Sequence, residues 1–274
     1  MSLKHLIMIA ALALPVPAFA QSPAMMTARN LSTQPLQGCA NLIGTTKPSG
    51  FYWVTFSADT QAMMYCDNDV TYRGVKGGWT LVWSNLRGGK GKLTSDMSWG
   101  MSIGTLPRYR GAAVLNAGAD RQSFEVYTGL KWWKPLMGRK EMMYEWAHDF
   151  GDERQIDQRA ACTFDLNAVD HWMITFNQAN CAADPGSKMP GLFTYSSGRR
   201  WSTADADNDD YTGACGKTYT GSPWWYGGCW TGSISGGGED NGDGHFNGAY
   251  WVESDPRWGS ADGTGAGNGW IYIR

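Results

Sequence analysis

Charge is scarce in this chain: 18% of its residues are Asp, Glu, Lys or Arg, and the formal net charge is −2. It has no cluster of Lys and Arg of the kind a phosphate backbone requires, which excludes nucleic acid as the main partner. It also has no CxxC pair, and its four histidines are scattered, so the six cysteines do not read as a zinc site. Past the first twenty residues no stretch approaches the ~20 consecutive apolar positions that a membrane span needs. Long helical periodicity is absent, and no internal repeat is visible.

What is present begins with an export signal. The basic MSLKH start, the apolar LIMIAALALPVPAF run and the small-x-small Ala18-Phe19-Ala20 site read as a signal peptide over residues 1–20. The product is therefore expected to be secreted, or periplasmic in a Gram-negative bacterium. Residues 21–37 lack periodicity and carry two prolines, and they read as a tether into a domain spanning 38–274. In an exported chain six cysteines suggest three disulfides, Cys39/Cys66, Cys162/Cys181 and Cys215/Cys229 being the sequential pairs. Spacing alone does not choose among the roughly fifteen pairings that six cysteines allow.

The 36 glycines and 15 tryptophans indicate a loop-rich fold with an aromatic core. Runs rich in aromatic and β-branched residues at Phe51–Phe56 and Gly78–Trp83 predict strands, a short apolar run at Ala62–Cys66 lies between them with hairpin-like pairing expected, and Glu141–Trp146 and Asp170–Phe176 alternate as strands do. From Trp201 onward glycine dominates and turns are expected instead. The expected class is α+β: a central antiparallel sheet, short helices and a long irregular C-terminal lobe.

The chemistry concentrates in DADNDDYTGAC, Asp205 to Cys215, with four aspartates in six positions. Such crowding repels unless a cation bridges it, and calcium takes oxygen ligands of this kind. An EF-hand beginning at Asp205 needs Gly sixth and Glu twelfth, where this chain has Asp210 and Gly216. That register fails, and on residue chemistry alone a metal loop and a solvated polar turn both stay open. Gly216-Lys217-Thr218 imitates the end of a phosphate-binding loop, but Tyr211 stands where that loop requires glycine.

Several separated motifs resemble the fibrinogen C-terminal domain family, which includes ficolins, tachylectin-like proteins and angiopoietin heads. They are Cys39 with Ser49-Gly-Phe-Tyr52, Met64-Tyr-Cys-Asp67, Gly77-Gly-Trp-Thr80, Tyr195-Ser-Ser-Gly-Arg-Arg-Trp-Ser-Thr203, the aspartate loop, Trp224-Trp-Tyr-Gly-Gly-Cys229 and Asn247-Gly-Ala-Tyr250. Their order covers nearly all of 38–274. The resemblance implies Ca²⁺ held by the side chains of Asp207 and Asp209 and the main-chain carbonyls of Tyr211 and Gly213, with Asp205, Asn208 and Asp210 outside the ligand set. It implies the disulfides Cys39–Cys66 and Cys215–Cys229, with Cys162 and Cys181 as the remaining pair.

In ficolin-like relatives the neighbouring pocket takes acetylated sugars. The resemblance places Tyr219, Gly228, Cys229 and Trp230 there, implies a cis Gly228–Cys229 peptide, and departs from the family pattern at Trp230, where relatives often carry His. The inserted stretch 231–244, with Asn241, Asp243, His245 and Glu253, loosely resembles the second calcium of intelectins. The implied function is calcium-dependent, lectin-like recognition of a carbohydrate or acetylated ligand, without catalysis. A protein-binding head is the alternative. A glycoside hydrolase built on Asp243 and Glu253 is the third reading, and it lacks a nucleophile motif. The tether contains neither a collagen-like nor a coiled-coil segment, so an oligomer would have to form through the domain itself.

Overall fold

The aromatic runs near Phe51 and Met64 form the first hairpin. The structure, a computed structural model, describes residues 36–85, 103–110, 124–148, 158–187, 189–203, 205–218, 223–229, 232–233, 250–251 and 267–274. Strand β1 (Gly50–Ser57) and β2 (Thr60–Asp67) pair antiparallel with Tyr52 opposite Met64. A two-strand hairpin follows, β3 (Thr71–Tyr72) and β4 (Val75–Lys76), and then β5 (Trp79–Asn85). Strands β6 (Arg108–Arg110), β7 (Glu125–Tyr127), β8 (Glu141–His148), β9 (Gln158–Asn167) and β10 (Met173–Ala183) complete the middle of the chain. The C-terminal third adds the short pair β11 (Gly232–Ser233) and β12 (Tyr250–Trp251), and then β13 (Gly267–Ile273).

Nine of these strands make one sheet, ordered β1-β2-β5-β13-β8-β9-β10, with β7 joined to β5 and β6 to β7. All its strand pairs are antiparallel. The described helices are short, the longest being Met189–Ser196. This agrees with the expected α+β class. Leu36, two residues before Gly38, already pairs with Val54 of β1.

The sheet is buried on both faces, because successive side chains of a strand alternate sides. Along β8, Met142, Tyr144 and Trp146 enter one cluster with Trp83, Trp201, Trp224 and Trp225, whereas Met143 and Ala147 enter another with Trp79, Leu81, Trp270 and Tyr272. On β5, Leu81 faces Tyr272 but Trp83 faces Ile271, so Val82 is an extra residue in a bulge. The bulge turns both Val82 and Trp83 to the first face.

Two expectations need correction. The Gly-rich end is not wholly irregular, since GNGWIYI forms β13 between β5 and β8, and its Trp270 to Ile273 are fully buried. The strand expected from Asp170 begins only at Met173. Asn167 Oδ1 accepts the N–H groups of Val169 (3.1 Å) and Asp170 (3.4 Å), closing a turn in which His171 and Trp172 are left-handed (φ 47° and 57°). All three sequential cysteine pairs are disulfides. Such bonds persist in oxidising compartments. No helix among the described residues is long and apolar enough to cross a membrane.

Tyr144 is fully buried, its hydroxyl has no hydrogen-bond partner, and burial raises its ionisation well above the ordinary value of 10.0. The folded state therefore keeps this proton at a pH where the unfolded chain has lost it. Its contribution is fully present below about pH 10 and declines above it by roughly 1.4 kcal/mol per pH unit. Denaturant midpoints should hold steady to about pH 10 and then fall, and Tyr144→Phe should flatten that decline at little cost at neutral pH. An equally steep decline in the variant would contradict this account.

Candidate metal centre and recognition surface

The aspartate loop is held by its own side chains. Asp209 Oδ1 accepts the Tyr211 N–H and Oδ2 accepts the Cys215 N–H, both at 2.9 Å. Asn208 is fixed at the base, its N–H donating to Ser202 Oγ (3.0 Å) and its amide to the Trp201 carbonyl (2.9 Å). Asp205 accepts from Thr203 Oγ1 (2.7 Å), and Asp210 pairs with Arg199. These contacts engage Asp205, Asn208, Asp209 and Asp210 within the protein, and the Asp207 carboxylate adjoins that of Asp209.

Burial pushes the Asp209 carboxyl up, the N–H groups of Cys215 and Tyr211 pull it down, and the adjoining Asp207 carboxylate pushes it up again. Two carboxylates within hydrogen-bonding reach of one another are a hard, anionic oxygen site, which is the chemistry a calcium ion accepts. Among the described residues no group of three or more His, Cys, Asp and Glu side chains gathers to hold a metal. Main-chain oxygens would have to complete the shell. Tyr211 and Gly213 are the neighbours able to supply them, with Tyr211 46% exposed and the Gly213 oxygen 3.8 Å from the Cys229 sulfur. An ion seated here would take its oxygens from Asp207, Asp209, Tyr211 and Gly213.

Behind the loop, the Cys215–Cys229 bond joins the short Cys215–Thr218 helix to the 223–229 segment. Ser202 and Trp224 exchange two backbone hydrogen bonds (2.9 and 3.0 Å), and Trp225 Nε1 donates to the Trp172 carbonyl at 2.9 Å. Trp224 and Trp225 are fully buried, so they support the wall and do not present a face to ligand. The turn before Cys229 is organised by Tyr195: its hydroxyl accepts the N–H groups of Gly227 (2.9 Å) and Gly228 (2.8 Å) and donates to the Gly228 carbonyl. A Cβ on Gly227 would lie 2.8 Å from Arg199 Nε, so glycine there lets the guanidinium rest against the turn while it holds Asp210.

Sequence reasoning passed over Tyr195 and Arg199 as site residues, although both fall within the quoted 195–203 motif; their role depends on a turn thirty residues away. The Gly228–Cys229 peptide is trans, correcting the cis geometry expected from the resemblance. The non-proline trans form is the lower in energy by about 2.5–4 kcal/mol, and Tyr195 holds the turn in it from both sides of Gly228. Of the other expected contacts, Gly228 and Cys229 sit beside the loop, whereas Tyr219 and Trp230 lie outside the described residues. So do Asn241, Asp243, His245 and Glu253, which carry both the second-calcium and the hydrolase readings.

Comparison with known proteins identifies the fold. Residues 138–266 match the family model for the fibrinogen beta and gamma chains, C-terminal globular domain. No curated protein sequence matches the chain. Among solved structures, the fibrinogen-like globe domain of human ANGPTL6 is similar with a TM-score of 0.60 and 22% identity, over 90% of this chain and 98% of that one. The corresponding domain of human ANGPTL2 gives 0.59 and 20%, over 88% and 99%. Lamprey fibrin D-dimer, complexed with the peptide Gly-His-Arg-Pro-amide, gives 0.62 and 18%, over 93% and 78%. The described residues thus have the fibrinogen-like fold, and residues 138–266 match the model of the fibrinogen C-terminal domain family.

Proposed function

We propose that this is a secreted, calcium-dependent recognition domain whose ligand is a glycan or an acetylated group, and that it performs no chemistry. Fibrinogen-like domains as a class bind proteins or other ligands and are generally not enzymes. The observation that carries the finer reading is the pair Asp207 and Asp209, adjoining in a loop whose backbone Asp209 already caps at Tyr211 and Cys215. Calcium there would pin the loop and, through Cys215–Cys229, fix the segment leading to Trp230. The ion is structural on this reading, and recognition falls to the surface beside it.

At a hundredfold excess over its Kd, a ligand bound only by the folded state adds about 2.7 kcal/mol, several degrees of Tm for a domain this size. Calcium should raise the Tm by that order, EDTA should reverse it, and the Asp207→Ala/Asp209→Ala double variant should not respond. A Tm indifferent to calcium in the wild-type protein would remove the metal site. A glycan array read with and without EDTA tests the ligand class.

The second reading is a protein- or peptide-binding head. It is supported by the peptide carried by the lamprey fibrin structure, to which this fold is similar. An array that stays blank in calcium, while a peptide library gives binders, would favour that reading.

A further inference from the structure

On the opposite side of the sheet from the aspartate loop, a cavity of about 110 Å³ opens between the β3–β4 turn and the ends of β9 and β10. Its Val70, Tyr72, Met143 and Ala161 belong to the second core cluster, whereas Cys215, Trp224, Trp225 and Cys229 belong to the first. Alanines 160, 161, 182 and 183 border it at the strand ends, with Ala161 and its cross-strand partner Ala182 on the second core face and Ala160 in the first cluster, and their small side chains leave the space open. The volume corresponds to about three or four water molecules, the size of a short organic acid.

Two arginines line it. Arg159 is committed, with Nε 2.6 Å from the buried carboxylate of Glu145 and Nη1 3.7 Å from Asp184. Arg73 pairs with no carboxylate among the described residues; its side chain meets the Tyr72 hydroxyl, which itself donates to the Asn180 carbonyl across the cleft. The guanidinium of Arg73, an exposed residue, is thus steadied beside the cavity with no carboxylate opposite it among the described residues.

The backbone at Arg73 adds an independent point. Tyr72 pairs with Val75, so Arg73 and Gly74 form a two-residue hairpin loop, and both are left-handed (φ 48° and 76°). Such a turn favours Asn-Gly, and a residue like Arg at the first position costs about 1–2 kcal/mol. Strain of this size at a cleft is characteristic of sites retained for binding.

We propose that this cleft is a second binding site, for a small carboxylate: the acid group pairs with Arg73 in the bidentate geometry that guanidinium favours, and its short apolar stem lies on the wall formed by Ala161 and its cross-strand partner Ala182. Phosphate would satisfy the charge and leave that wall uncovered. The site is independent of calcium and of the glycan reading. A free short-chain acid and the C-terminal carboxylate of a peptide offer the same chemistry.

The test is a titration followed by NMR with butyrate, butyramide, inorganic phosphate, and tripeptides ending in Val with a free or an amidated C-terminus, all repeated in EDTA. Butyrate should bind with a Kd on the order of millimolar, butyramide and phosphate at least tenfold more weakly, with shifts at Ala161 and Ala182 unaffected by EDTA. A free-ended tripeptide that exceeds butyrate while its amide does not would identify a peptide end as the source; the reverse order would identify a free acid. Arg73→Asn restores the favoured turn residue, so its Tm should equal or exceed wild type while butyrate binding falls at least tenfold. Equal binding of butyrate and butyramide, undiminished binding by Arg73→Asn, or no butyrate shifts at tens of millimolar would overturn the proposal.

Discussion

Arg274→Ala is expected to destabilise the domain by about 3–5 kcal/mol, the cost of removing the buried partner from an ion pair, with the half-exposed Arg139, whose Nε lies 3.1 Å from the same Glu141 oxygen, left as the carboxylate's remaining partner. The Arg274 side chain is fully buried, and its Nε donates to Glu141 Oε2 at 2.6 Å. Its Nη1 reaches the carbonyls of Gly77 (2.6 Å) and Val75 (3.1 Å), Nη2 reaches that of Tyr72 (3.3 Å), and the guanidinium carbon stands 4.1 Å from the Trp79 ring centroid. One side chain thus fastens the β3–β4 hairpin to the β8–β13 pair. Burial lowers the tendency of Arg274 to hold its proton, and the Glu141 carboxylate opposes this. Arg274→Lys keeps the charge but not the fork, so it should fall between wild type and Ala. Arg274→Met with Glu141→Gln should lose less than Arg274→Ala alone, since no charge is then left buried. Guanidinium chloride midpoints check the series, and a loss below 1 kcal/mol for Arg274→Ala would refute the account.

Tyr195→Phe is the second large effect, expected at about 2–4 kcal/mol. It retains the ring and removes the acceptor for two N–H groups, each costing roughly 1–3 kcal/mol if left unsatisfied. The damage should be local: amide exchange at Gly227 and Gly228 should accelerate much more than exchange in β8 or β13. The freed turn leads into Cys229 and so toward the recognition surface, and ligand affinity should drop even where calcium still raises the Tm. Unchanged protection at both glycines would show that the hydroxyl is not the organiser of this turn.

Much of the fold was readable where burial and composition agree. β1 and β5 are dense in aromatic and β-branched residues, β2 carries a short apolar run and β8 an alternating pattern, and the structure places strands over each. β9, QRAACTFDLN, escaped notice because its buried Gln158, Ala160 and Ala161 carry little strand signal; neighbours on both sides of the sheet impose its conformation. β13 was hidden by its flanking glycines. Asn167 determined where β10 begins, through side-chain bonds to Val169 and Asp170 that a hydrophobic pattern does not register. At the site, the aspartates of the loop were legible because their chemistry is local. Arg199, Tyr195 and Arg274 were not, because each acts on a segment distant in sequence: Asp210 and Gly227–Gly228 near the loop, Tyr72 and Gly77 at the hairpin.

The central place of β13 also bears on how the chain reaches this state. Ile273 pairs with Thr80 and Met142, partners that precede it by well over a hundred residues each. Until β13 arrives, β5 and β8 each keep a bare hydrogen-bonding edge, and the sheet exists as two unjoined halves. Closing loops this long before their contacts reward it makes folding slow and of high contact order. Throughout synthesis those two apolar edges are open to wrong partners, so the period before β13 docks is when aggregation competes most strongly and a holding chaperone has most to protect.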